Sequence, residues 1–487
     1  MKKHLTRILS VLLIAVMMLS VLSACGEEEE KAGNDQVITG ESDENPNIEA
    51  KDYGGHEFTF ITNEGSSYNT RYLIATEDTG EVLGDALTKR NSALEQKYNI
   101  TVKQMKVDNI VQSVRSAVMS GTIEFDAILA SGPNCATMAT EGLLYNLNSV
   151  ERFDFSKSYW DSNACEQLAM GDKLYFTNCS MNIHSLGWII FFNKYLIEEH
   201  DLTSPYELME KNEWTVDNWA ELAKAVTKDL NGDGQMTEVD RFGSLYSHAD
   251  ARRFAYGVGI RATTNNEEGK PVVTLLDDKT KIETLFSKLN VVFSNTECTY
   301  CIVCNSPSFS GYPHKYAYSR YLFATDHYLF MYDDATAVSA LAEMEHEFGI
   351  IPFPKYDSNQ ENYVTQYPAN YNMFALPALM PNAERTFNII EDMNYFSSII
   401  LTPAWFDTLL TRRYTRDDES EASIRLLREN RVYDIGSFYD FGGIRTTIMD
   451  ADVATNPNIV RNYERYKKNV QTAIDTTFNK FLENTNK

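Results

Sequence analysis

The sequence predicts an α/β protein built as two lobes that face each other across a cleft. Three observations carry this. Strand-like and helix-like stretches alternate from residue 57 to residue 150, the pattern of a parallel sheet with helical crossovers. A similar alternation starts again near residue 174. Beyond the N-terminal leader, no stretch approaches the ~18 consecutive apolar residues of a bilayer span. The composition, 43% hydrophobic and 12% aromatic with 28 Tyr and 25 Phe, is that of a globular chain, and 487 residues suffice for two or three domains.

Taken in order, EFTFIT (57–62) is a first strand. GEVLGDALTKRNSALEQKYN (80–99) is a helix with apolar positions Leu83, Ala86, Leu87, Ala93, Leu94 and Tyr98. ITVKQMKV (100–107) alternates as a strand does, and 109–121 is a helix ended by Gly121. FDAILA (125–130) has the apolar run of a buried parallel strand, and 136–150 returns as a helix with a glycine break. KLYFTNC then opens the second run. GWIIFFNKYLIEEH (187–200) is a strand running into a helix, and EWTVDNWAELAKAVTKDL follows as an amphipathic helix capped by Thr215. Trp214 and Trp219 read as core.

The N-terminus is set apart from the fold. Lys2, Lys3 and Arg7 precede an apolar stretch from Ile8 to Leu22, and Ser23-Ala24 stand before Cys25, the form of a secretory signal (1–24). LSAC resembles a bacterial lipobox. The resemblance implies cleavage before Cys25, a lipid such as palmitate on its sulfur, and a domain held at the outer face of the cytoplasmic membrane. Residues 26–52 are polar and acidic, so 25–52 is expected to be a lipidated Cys followed by a disordered tether. The formal charge of −25 repels nucleic acid and anionic headgroups, which excludes both as partners apart from the anchor. The other cysteines, Cys135, Cys165, Cys179, Cys298, Cys301 and Cys304, lie where disulfides persist, with pairing left open. CTYCIVC (298–304) lacks the partner cluster of an iron–sulfur or zinc site and reads as disulfides or thiols in a strand.

DLNGDGQMTEVD (229–240) places oxygen-bearing side chains at the spacing of a calcium loop, with Gly234 at the sharp turn. The expected ligands are Asp229, Asn231, Asp233 and Asp240, the carbonyl of Gln235, and Glu238 as a substitute. A strand-like RFGSLYS follows where an EF-hand needs a second helix. The reading is therefore a structural Ca2+ clip at a helix-to-strand corner, with a solvated Asx/Gly turn as the plain alternative.

Several stretches together resemble one family. EFTFIT, LEQKYNITV, EFDAILAS…EGLLYNLNSV, WIIFFNKYLIEEHDL, NEWTVDNWAELAKAVTKDLNGDG and FGIIPFPKYD occur in the order found in the extracellular solute-binding lipoproteins of bacterial ABC importers, a group with many sugar binders. The resemblance covers most of 53–480, and the stretch 411–450 departs from it. It implies a two-lobe periplasmic-binding-protein-like fold with parallel-rich sheets. Lobe I would take 53–180, lobe II 181–369 with the calcium-type loop, a return to lobe I 370–410, and a C-terminal helical segment 411–487 mainly lobe II. Crossings are expected at 178–186 and 363–377. The implied partners are a solute, an oligosaccharide by preference, and ABC permease subunits, with the chain acting as a monomer.

The residues themselves offer no enzyme signature: no G-x-S-x-G, no HExxH, no P-loop, and eight scattered His. No catalytic residue is assigned. A sugar site needs aromatic faces and polar side chains on loops at strand ends. That rule selects Asn63, Glu64 and Tyr68 after the first strand, and Ser131 and Asn134 after the third. It also selects His184 and Trp188 at the crossing, Tyr246 and His248 after the calcium-type loop, and Asp326, Tyr371, Asn372 and Trp405 from later segments. Alternatives are the same fold binding a peptide or another polar or cationic solute, which suits the acidic balance, or a secreted carbohydrate-active enzyme.

Overall fold

The computed structural model describes residues 44–64, 73–76, 81–182, 187–296, 298–301, 311–410 and 418–483. Cys25, Tyr68, His184 and Cys304 lie outside them, as do the signal and most of the acidic tether.

The first run supplies β1 (His56–Asn63), β2 (Ile100–Val107), β3 (Ala127–Ser131) and β4 (Phe176–Thr177). The second supplies β5 (Ile189–Asn193), β6 (Phe242–Tyr246), a hairpin of β7 (Thr263–Asn265) and β8 (Pro271–Val273), then β9 (Thr299–Cys301), β10 (Tyr328–Asp333) and β11 (Phe348–Ile351). The chain continues through β12 (Thr365–Gln366) and β13 (Asn372–Ala375), and β14 (Arg431–Val432) comes late. Two five-stranded sheets result, in the orders β2-β1-β3-β13-β4 and β11-β5-β10-β6-β9. β1 is parallel to β2 and β3, while β13 runs antiparallel to β3 and β4. In the second sheet β10, β6 and β9 are mutually parallel and β5 runs against β10 and β11. The strands that run the other way are those by which the chain arrives from or returns between the sheets.

Each helix has a local reason. The helix Ile110–Ser120 starts at Asn109, whose side chain accepts the Gln112 N–H, and stops at Gly121 in a left-handed conformation (φ +73°). Helix Val216–Ala225 is capped by Thr215 and buries Trp219, Leu222 and Ala223 on one face. Its C-terminal turn lies so close to β6 that a Cβ on Gly243 would stand 1.6 Å from the Ala223 carbonyl oxygen. Trp214 and Trp219 are fully buried, and the Trp214 indole donates to the Pro352 carbonyl at 2.9 Å.

Three expectations shift. The helix expected over 136–150 is Gly132–Thr140, set earlier by Pro133 in its first turn and ended before Gly142 (φ +70°). The strand expected at KLYFTNC (173–179) joins a sheet ladder at Phe176–Thr177, in the first sheet, with isolated bridges at Lys173 and Cys179. The far end of the expected tether is docked: the Glu44 carboxylate accepts the Ser158 N–H at 2.9 Å, Lys51 pairs with Glu384 at 2.8 Å, and Ile48 is buried. One apolar side chain and paired charges suffice to hold a segment whose composition reads as solvated. Among the cysteines, Cys301 is in a disulfide whose partner lies outside the described residues, while Cys135, Cys165 and Cys179 are thiols.

The C-terminal part touches both sheets' surroundings. β14 pairs with β12. The final helix, Ile459–Glu483, accepts Lys173 Nζ at the Phe481 carbonyl (2.5 Å), and its Asp475 pairs with Lys270 at 2.6 Å. No helix among the described residues is long and apolar enough to cross a membrane.

Candidate functional site

Strand direction brings one end of each sheet to the same place. In the first sheet β3 ends at Ser131, which pairs with Asn372 at the start of β13. In the second, β10 ends at Asp333, which pairs with Ile189 at the start of β5. Tyr371 lies one residue before β13 and Asp334 one residue after β10. The Tyr371 hydroxyl donates to the Asp334 carboxylate, so the two strand ends meet directly.

On the first-sheet side, Asn134 Nδ2 donates to Asn63 Oδ1 at 3.1 Å, and Asn63 Nδ2 donates to the Asp108 carbonyl at 3.2 Å. The Asn372 carbonyl accepts Asn182 Nδ2 (3.1 Å) and the Tyr367 hydroxyl (3.2 Å). Glu64 is exposed, with its N–H on the Val107 carbonyl at 2.8 Å. Thus Asn63, Glu64, Ser131, Asn134, Tyr371 and Asn372 lie at the first sheet's strand ends, and hydrogen bonds or strand pairing join Asn63 to Asn134 and Ser131 to Asn372.

On the second-sheet side, Trp188 is half-buried. The Arg253 guanidinium lies 3.3 Å from its ring centre, and the Tyr316 ring 5.6 Å away. Arg253 pairs with Asp250, whose other carboxylate oxygen accepts the Ser247 N–H at 2.5 Å. Arg320, one helical turn after Tyr316, holds Asp333 through Nε (2.7 Å) and Nη2 (3.0 Å). Burial outweighs this guanidinium, so the Asp333 carboxyl is pushed up to about 6. The Asp334 carboxylate has its first oxygen bonded to the Thr336 N–H (2.8 Å) and hydroxyl, and gives its second to Tyr371. Burial, with Asp334 next to it, raises the Tyr371 phenol well above its ordinary range, so it remains a donor at physiological pH.

The crossing segments run beside this site. Thr365 Oγ1 donates to the Trp188 carbonyl at 2.6 Å, and Arg252 Nη1 reaches Gln366 Oε1 at 2.5 Å. Gly187 sits at φ +93°, where a Cβ would stand 2.8 Å from the Gln366 carbonyl oxygen.

Four of the residues selected from sequence are placed elsewhere or otherwise. Asp326 occupies the turn before β10, at the opposite end of the sheet from Trp188, where it accepts Asn193 Nδ2 (2.5 Å) and pairs with His346 (2.6 Å). Trp405 is 4% exposed in the helix Thr402–Leu410, which packs on the helix Glu81–Tyr98 behind the first sheet. Tyr246 is at a strand end, but its ring is buried and stacked on Phe293 at 4.4 Å. His248 faces Asp452 at 3.8 Å. The residues missed, Asp250, Arg253, Tyr316, Arg320, Asp333 and Asp334, include one pair with a visible signal. HYLFMYDD is an apolar run closing on two carboxylates, and the same strand-end rule selects them once that run is read as a strand.

The loop 229–240 is closed at its base by paired bonds between Lys228 and Arg241, N–H to carbonyl at 3.0 and 2.9 Å. Asp229 accepts the N–H groups of Gly232 (2.7 Å) and Gly234 (2.8 Å), Asn231 that of Asp233, and Asp233 that of Gln235. Asp240 is buried, with its oxygens on Leu230 N (3.0 Å), Thr237 N (2.8 Å) and Thr237 Oγ1 (3.1 Å). Glu238 accepts the Tyr300 hydroxyl at 3.1 Å. Asn231 and Asp233 are exposed, while Asp229 is half-buried with both carboxylate oxygens on loop N–H groups. Among the described residues no three His, Cys, Asp or Glu side chains gather as a metal-holding group. The two acidic residues at the end of the loop are turned to protein partners.

No protein-family model matches the sequence, and no curated protein matches it. Solved structures do match in fold. A sugar transporter of Rhizobium etli in an open conformation shares 13% identity, with 88% of this chain and 98% of that chain covered and a TM-score of 0.55. An ABC substrate-binding protein of Listeria monocytogenes in complex with cycloalternan shares 13%, over 88% and 99%, at 0.50. UgpB of Mycobacterium tuberculosis, in complex with glycerophosphocholine, shares 14%, over 87% and 99%, at 0.52. The chain has the two-lobe, periplasmic-binding-protein-like α/β fold of these transport binding proteins.

Proposed function

We propose that this protein is the solute-binding component of an ABC importer, lipid-anchored through Cys25, and that it presents an oligosaccharide to its permeases. The observation that carries the reading is the meeting of Tyr371 and Asp334 at the facing strand ends of two sheets joined by crossing segments. Open α/β sheets bind ligands at the carboxyl ends of their strands. Hydrogen-bonding side chains on one wall (Asn63, Asn134, Asn372) and a half-buried indole on the other (Trp188) suit a ring of hydroxyls with an apolar face. Two neighbours of the same fold are named for sugar or bound to a cyclic saccharide.

Thermal-shift and calorimetric titration of residues 44–487 against mono- and oligosaccharides tests the reading. A ligand at 100 times its Kd raises stability by ~2.7 kcal/mol. Silence across the panel removes the sugar assignment. Labelled palmitate incorporated by the wild type and not by Cys25→Ala tests the anchor.

The same proposal extends to Ca2+ at 229–240. Oxygen donors at Asp229, Asn231 and Asp233 suit a hard cation, which would brace the corner between helix Val216–Ala225 and β6. Asp240 would have to give up three donors to join them.

A further inference from the structure

We propose that the Tyr371 phenol is a built-in stand-in for a solute hydroxyl. It caps Asp334 across the two sheets when the cleft is empty, and solute binding replaces it. The inference rests on the strand ends being the solute site.

Asp334 is 5% exposed and Tyr371 is 8% exposed. The carboxylate divides its two oxygens between different tasks. The first is taken by its own turn, through the Thr336 N–H and hydroxyl. The second points out of that turn and, among the described residues, accepts from the other sheet, from Tyr371. Arg320 is committed to Asp333 and stands 3.9 Å from the first oxygen of Asp334. A buried carboxylate oxygen left without a donor is costly, so the cleft needs an O–H or N–H at that point in every state. In the solute-free chain the phenol supplies it.

The backbone of Tyr371 is well placed for an exchange. Its carbonyl accepts the Gly132 N–H at 3.1 Å and its N–H donates to the Pro368 carbonyl at 3.0 Å, so the main chain is fixed while the hydroxyl alone reaches across. The Tyr371 ring meets Tyr367 edge-on at 5.9 Å and can lean on it when its hydroxyl is displaced. Two consequences for the solute follow. The group that replaces the phenol must be a hydrogen-bond donor, a hydroxyl or an ammonium. A carboxylate or phosphate brings no donor to that point and is refused.

The test uses residues 44–487, with Tyr371→Phe and Asp334→Asn as variants that keep the side-chain shape. Without any solute, small-angle scattering of Tyr371→Phe shows a larger radius of gyration than wild type with an unchanged far-UV spectrum. One charged hydrogen bond shifts an open–closed equilibrium about tenfold or more. Calorimetry then uses raffinose, maltotetraose, the glucosamine tetramer and an oligogalacturonate as probes. A neutral or amino probe bound by wild type binds Tyr371→Phe severalfold more tightly, because no internal donor competes, and binds Asp334→Asn at least tenfold more weakly. An unchanged radius of gyration in Tyr371→Phe overturns the proposal whatever the probes do. So does weaker probe binding by that variant, which would make the phenol a solute contact, or preferred binding of the oligogalacturonate. If the radius grows and no probe binds, the stand-in survives and the sugar reading falls.

Discussion

The Tyr159 phenol donates to the Glu391 carboxylate at 2.7 Å inside the core that backs the first sheet, and the Trp160 indole donates to the same carboxylate at 3.1 Å. Burial pushes the Glu391 carboxyl up to about 7, although these donors and the Asp154 N–H pull the other way. The folded chain therefore holds a proton that the unfolded chain, near the ordinary glutamate value of 4.5, has released. Between roughly pH 4.5 and 7 stability falls as pH rises, by up to about 1.4 kcal/mol per unit for this one group. Asp333, pushed up to about 6, acts in the same direction. Urea unfolding from pH 5 to 7 should show the slope in wild type and a flatter one in Glu391→Gln. Equal slopes would mean that Glu391 is ionised in the fold.

Calcium has a separable signature. Asp229→Ala removes a half-buried carboxylate that accepts two N–H groups, and its melting temperature should lose its response to chelator. Wild type should melt lower in chelator than in 1 mM calcium, a concentration that fills a site of ~10⁻⁴ M. Melting of each protein that is the same in calcium and in chelator would show that the loop holds no calcium. Asp240→Ala should destabilise in either buffer by about 1–3 kcal/mol, because three donors lose their acceptor.

Gly243→Ala puts a methyl group 1.6 Å from the Ala223 carbonyl oxygen, so helix Val216–Ala225 or β6 must move. The expected cost is about 3 kcal/mol, read as a lower urea midpoint. Gly234→Ala, in open space but at φ +79°, should cost less, about 1 kcal/mol of backbone strain.

Asp126 gathers three partners: Arg385 Nη2 (2.9 Å), His56 Nε2 (3.0 Å) and the Thr59 N–H (2.9 Å). Asp126→Ala leaves the Arg385 guanidinium, which is mostly buried, without its carboxylate. The loss should be about 3–5 kcal/mol, whereas Lys51→Ala, at an exposed pair, should stay below about 1 kcal/mol.

The elements that recurred near their expected bounds were those with a strong local period and a cap: β1, β2 and the helix ended by Gly121; the helix opened by Thr215 starts as expected and stops at Ala225, short of the expected Leu230. The short strands β4, β12 and β14 exist only because a partner arrives from far along the chain, β13 for β4 and β14 for β12, and two residues carry no period. The strand-end rule read from sequence selects residues that do stand at strand ends, as Asn63 and Ser131 do, with Asn134 three residues on in the next helix. Trp405 and Asp326 lie away from those ends for two different reasons. Trp405 is a tryptophan in a helix, and packing claimed it. Asp326 stands at the start of its strand, and without the strand's direction an acidic residue beside an apolar run cannot be assigned to either end.

The final helix carries one more consequence. Lys173, in the hairpin just before β4, finds its acceptor at Phe481, 308 residues further along, and β12 finds its partner at β14. A ribosome or an export channel releases residues in order, so a nascent chain that has delivered both large sheets still lacks the segments that clasp them. Folding should therefore divide into an early, loosely assembled stage and a late locking event. Truncation near residue 430 should give a chain with much of its sheet structure that proteases and chaperones nonetheless treat as unfinished.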